Sequence, residues 1–167
     1  MSRSAFFEES KTVNWPSEFR DIVNIFKGKD VLGKNTHPAM YDFDTGAIVL
    51  AAVIGFIKKR EREVGSSWLG IDTSTFEGHK FGNVPLTNYI ALIAVLHEKD
   101  VDLLREGRES ELIRIFERYA AGGLEYLRAA MSRSSDPTGY QVLFKEVEEV
   151  LGGKANLESE GLVDIFG

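Results

Sequence analysis

The side chains best suited to chemistry in this sequence are three histidines, His37, His79 and His97, with the acids and bases near them. A histidine acts as a general base only beside a positioned partner, and holds a metal only with further ligands at fixed spacing. No HExxH pattern and no His–carboxylate cluster at metal-ligand spacing occurs, so neither metal nor cofactor is expected. Asp72, Glu77 and His79 form the strongest acid–base candidate, and they act together only if the fold makes them converge. The turn EGHKFGN around His79 otherwise reads as polar surface. His97 ends an apolar run, where an imidazole is expected to bond the last helical carbonyls. The segment GSSWLG lacks the lysine and spacing of a phosphate-binding loop, and Glu148 and Glu149 diverge around a helix instead of converging. Cysteine is absent, which excludes disulfides, thiolate metal sites and cysteine nucleophiles.

A second kind of chemistry is phosphate contact. Lys58, Lys59, Arg60 and Arg62 follow the apolar run AIVLAAVIGFI, and such cations position a protein on DNA without reading its sequence. The competing role is local, since positive charge complements the C-terminal end of a helix dipole. Glu61 and Glu63 interleave with the cations. On a continued helix Lys58 and Arg62 share a face, and Lys59 is set to pair with Glu63. The net charge of −6 opposes general binding to nucleic acid. Its distribution is uneven: residues 1–65 carry +1 and residues 66–167 carry −7. The acidic half fits a basic partner or simple solubility.

The elements that must position these groups are mainly helical. Phe19, Ile22, Val23 and Phe26 repeat at helical spacing after Pro16, and Gly28 terminates them. Asp42 or Asp44 is expected to cap a helix over 44–60, in which Ala51 and Gly55 share a face open to close approach. Trp68 to Phe76 is the one stretch expected to be extended, as a short strand or hairpin near residues 67–76. A helix from Pro85 to Glu98 is apolar on most sides, Leu92 included, and is expected in the centre of the core. Asp100 caps a short helix closed at Gly107. The longest amphipathic stretch runs from Ser110 to Met131, and its interior Gly122 and Gly123 point to a kink or a close helix crossing. Asp136-Pro137 starts a last helix ending at Gly152-Gly153. The fold expected is therefore a single-domain, mainly α helical bundle over 1–167, with 1–14 and 154–167 peripheral or loosely ordered.

Three segments together carry a resemblance: TGAIVLAAVIGFIKKR, VPLTNYIALIAVLHEKDVDLLRE and IRIFERYAAGGLEYL. They resemble the bacterial family called DNA phosphorothioation-associated protein 4. The matching positions are Ala51, Ala52, Gly55 and Phe56, then Asp100 and Leu104, then Ile115 through Glu125. The last is the most specific, and the match spans about residues 44–128. The resemblance implies company with systems that replace a non-bridging phosphate oxygen of DNA with sulfur and restrict unmodified DNA. It carries over no catalytic residue, because the matched positions are mostly apolar or glycine.

The expectation is a non-enzymatic accessory or adaptor of such a defence system, binding a partner protein and touching DNA weakly through Lys58, Lys59, Arg60 and Arg62. The alternative is a small enzyme assembled around Asp72, Glu77 and His79. The longest apolar run, Ala47 to Ile57, is too short to span a bilayer, and the N-terminus lacks a signal-peptide core. A cytoplasmic protein without membrane contact is expected, and self-association stays open.

Overall fold

The computed structural model describes residues 6–159, with side chains through residue 152. It is 57% helical. Among the described residues the strands are β1 (Thr12–Pro16), β2 (Trp68–Asp72), β3 (Lys80–Phe81) and β4 (Val84–Pro85). The helices are α1 (Arg20–Phe26), α2 (Asp44–Lys58), α3 (Thr73–Gly78), α4 (Thr87–Glu98), α5 (Glu109–Ser132) and α6 (Tyr140–Ser159).

The organising contact is α2 against α5. Glycine lets two backbones meet where any Cβ would hold them apart. A Cβ on Gly123 would fall 1.7 Å from the Ala51 carbonyl oxygen, and one on Gly55 would fall 2.2 Å from that of Tyr119. Gly123 is thus the point where α5 meets α2, and Gly122 lies against the Arg60 backbone just past the end of α2. Ala51 and Gly55 supply the matching small face, as their spacing predicts. Around this crossing Ile48, Ala52, Phe116, Ala120, Leu124 and Leu127 are buried in one cluster with Trp15, Phe26 and Phe76.

The N-terminal segment departs from expectation. Residues 12–16 are not loose: β1 pairs antiparallel with β2 in the register Val13↔Ile71 and Trp15↔Leu69. Val13 and Trp15 are fully buried, and Phe7 is buried too. The alternation that makes this strand is only two apolar residues long, and its partner lies more than fifty residues downstream. Short-range periodicity therefore gives no signal for it. The extended stretch expected near 67–76 is present but shorter, because Thr73 turns the chain into α3.

Helix boundaries shift for local reasons. Pro16 ends β1 and precedes a 3₁₀ turn, Ser17–Phe19, before α1 begins. Pro85 belongs to β4, so α4 starts two residues later. Neither Asp42 nor Asp44 caps α2; the cap position is Phe43, without a side-chain bond. Asp44 instead holds Arg20 and Lys27, each at 2.8 Å. Asp136 binds the backbone N–H groups of Thr138 and Gln141, and α6 begins at Tyr140. Asp100 does accept from the Asp102 N–H at 2.8 Å, starting the 3₁₀ turn Val101–Leu104. Gly152 and Gly153 do not end α6, whose backbone continues to Ser159. The tail beyond it lies outside the described residues.

The central position expected for α4 is only half right. Ile90, Ile93 and Ala94 are buried, yet Leu92 is 52% and Leu96 47% exposed. α5, α2, α3, β4 and the 3₁₀ turn Val101–Leu104 pack against α4, and together they leave the Leu92–Leu96 face open. The width of the apolar stripe exceeds what the core uses.

Candidate functional site

The basic turn is built by the end of α2. Lys59 adopts a left-handed conformation (φ 55°), so the helix stops at Lys58 and the chain leaves it. Lys58 and Arg62 consequently share no helix face. Lys58 is held by Glu146 at 3.0 Å and by Glu149, both on α6. The bond to Glu149 is the main reason its ammonium is held above the ordinary lysine range. Arg62 is held by Glu18 and by Glu125 at 2.9 Å, and its guanidinium lies over the Phe19 ring. Glu61 turns to Arg118 at 3.3 Å. Lys59 and Arg60 are exposed and form no ion pair among the described residues. Of the four candidate phosphate contacts, two are thus countered by carboxylates of the same chain.

The acid–base trio does not gather. Asp72 accepts from the Thr12 hydroxyl across the β1–β2 sheet at 3.3 Å. Glu77 accepts from the buried Thr87 hydroxyl at the start of α4. The His79 Nδ1 meets the buried Thr45 hydroxyl at 2.7 Å, and its ring stacks on Phe43 with centroids 4.0 Å apart. His79 lines a cavity of about 480 Å³ with Tyr41, Phe43, Thr45 and Phe81, and neither Asp72 nor Glu77 reaches it. Burial there raises the Tyr41 phenol above its ordinary range. Phe43, Thr45 and Tyr41 are neighbours of His79 that spacing could not reveal, since more than thirty residues separate them.

The other histidines have structural partners. The His37 Nε2 donates to the Ile25 carbonyl at 2.7 Å, tying the loop after α1. The His97 Nδ1 meets the Tyr119 hydroxyl of α5 at 2.6 Å, in place of the helix-end carbonyls expected for it. Desolvation, with Glu61 nearby, raises the Tyr119 phenol. Among the described residues no group of three or more histidines and carboxylates is placed to hold a metal ion.

Among the described residues two apolar faces stand exposed. One is the outer side of α4, where Leu92 and Leu96 are exposed one turn apart. Phe6, Val84, Leu92, Val95 and Leu104 line a groove of about 450 Å³ there. The other is α6, where Phe144, Val147, Val150 and Leu151 are exposed beside Ile57 of α2.

The architecture is that of a mainly α protein built on a glycine crossing, with its polar clusters spent on internal bonds and its apolar excess on two surfaces. The profile of the family described as DNA sulphur modification system-associated protein 4 matches residues 18–151, and this chain belongs to that family. The match reaches past the three segments that carry the resemblance, into α1 and α6, and leaves β1 outside it. No curated protein matches the chain. No solved structure matches it either. Among the described residues no helix is long and apolar enough to cross a membrane.

Proposed function

We propose that this protein is a non-enzymatic adaptor, working in the cytoplasm as one domain, in a DNA sulphur modification-dependent restriction system. It binds a partner protein of that system through the outer face of α4. The observation that carries the reading is the exposure of Leu92 and Leu96 on a helix whose inner face already satisfies the core. Contiguous exposed apolar side chains cost solubility, and on a folded protein they mark surfaces that another molecule covers. DNA contact, where it occurs, falls to Lys59 and Arg60, because Lys58 and Arg62 are already paired. The alternative, a small enzyme around Asp72, Glu77 and His79, is supported by the His79 cavity alone.

The test is recovery of the tagged chain from its native host, with co-purifying proteins identified by mass spectrometry. A component of the sulphur-modification machinery should accompany the wild type and be lost from the Leu92→Asp, Leu96→Asp double variant, which should still unfold cooperatively with a melting temperature only a few degrees lower. Retention of that component by the double variant would remove α4 as the docking face. Multiple turnover of a small substrate, abolished by His79→Ala, would replace the adaptor with the enzyme.

A further inference from the structure

Helix α6 carries an apolar seam that stands exposed among the described residues. Tyr140, Phe144, Val147 and Leu151 follow one another at spacings of four, three and four, the period that keeps side chains on one stripe for a neighbouring helix. All four are exposed, Phe144 at 66% and Leu151 at 60%. The inward side of the helix is accounted for separately. Val142 is buried, Leu143 packs on the core, and Glu146 binds Lys58 and the Tyr126 hydroxyl, the latter at 2.6 Å. The seam is therefore not a loosely docked core face; α6 is anchored by its other side.

Beside the seam lies a groove of about 310 Å³ between α2 and α6, lined by Leu50, Ile57, Val147, Val150 and Leu151 among others. Phe144 does not line it. The most exposed aromatic ring among the described residues thus stands one helical turn from an apolar groove it cannot fill itself. Projection and groove on one face, a turn apart, are what a two-fold self-contact requires.

We propose that two copies of this chain pair antiparallel along α6, with Phe144 of each entering the α2–α6 groove of the other. In that register Tyr140 lies opposite Leu151 of the second copy, and Phe144 lies opposite Val147. The charges favour this direction. Glu146 and Glu149 share Lys58 of their own chain, and among the described residues Lys145 and Glu148 beside the seam form no ion pair. Antiparallel pairing sets Lys145 of each copy near Glu148 of the other. Parallel pairing sets the Lys145–Glu148 flank of one copy against the Leu143–Val150 flank of the other, so neither charge finds an opposite partner. The seam shares no residue with the α4 face, so a dimer leaves both α4 surfaces free.

Sedimentation velocity on the full chain, from low to high micromolar concentration, measures the association. A concentration-dependent dimer is expected. Phe144→Glu should weaken it by about 30-fold or more, the loss typical of a residue at the centre of an interface. Because Phe144 is exposed, the melting temperature of the variant should match that of the wild type at low concentration, where both are monomers. The direction is read by cross-linking, which the absence of native cysteine makes clean. Gln141→Cys and Glu148→Cys should form a disulfide-linked dimer when mixed, and neither should do so alone. A wild type that stays monomeric throughout, a Phe144→Glu variant that still dimerises, or efficient cross-linking of Gln141→Cys by itself would overturn the proposal.

Discussion

Replacing Gly123 by alanine inserts a single methyl group at the tightest point of the α2–α5 crossing. That methyl would lie 1.7 Å from the Ala51 carbonyl oxygen, a backbone atom that no rotamer change can move aside. Ordinary contact needs 3.4 Å or more, so the helices must part by well over an ångström. Overpacking a close-packed core costs about 1–3 kcal/mol, and a backbone collision falls at or above the upper end. Alanine returns up to about 1 kcal/mol through its higher helix propensity. The expected net loss is about 2 kcal/mol, or a melting temperature lower by roughly 4–8 °C for a chain of this size. Gly152 is the internal control: it also lies in a helix, and a Cβ there meets nothing within 4 Å. Gly152→Ala should stabilise by a few tenths to about 1 kcal/mol. Thermal and urea unfolding of both variants measure the pair of signs. A neutral or stabilising Gly123→Ala would refute the crossing as the determinant of the fold.

Three further outcomes follow from the geometry. Leu92→Asp should change stability by only about 0.5–1 kcal/mol, whereas Ile90→Asp, which places a charge in a fully buried site, should cost about 4 kcal/mol or more; urea titration separates them. Desolvation raises the Asp44 carboxyl, but bonds from Lys27 and Arg20 outweigh it and hold the group below its ordinary value of 3.8. A depressed carboxylate contributes stability that is present above the unfolded value and lost as pH falls through the folded one, so Asp44→Asn should lower stability at neutral pH and lose less of it on acidification below about pH 4. If DNA is bound at all, binding should be weak and insensitive to sequence, and replacing Lys59 and Arg60 by Gln should flatten the log–log salt slope by about two units, while Lys58→Gln and Arg62→Gln leave it nearly unchanged.

The long helices α2, α4 and α5 were legible because an amphipathic repeat sustained over several turns reports its own geometry. The glycine crossing was legible for a related reason: small residues at matched spacing have few uses inside a helix besides close approach. The family was legible from apolar and glycine positions of the same helices, which is why it came without a site. Strand β1 was not legible, since two alternating residues become a strand only when β2 lies beside them. The charges of the basic turn show the limit most plainly. Sequence places Lys58 and Arg62 together and near Glu61 and Glu63, yet their counter-ions come from Glu146, Glu149, Glu18 and Glu125 on other elements. Composition decided that this chain buries a helical core without cysteine. Which apolar stripe is core and which is surface was decided by tertiary structure alone, because exposure depends on what packs against a face. Leu92 and Ile93 are adjacent and both strongly apolar, and only the elements packed against α4, by covering one of them, tell them apart.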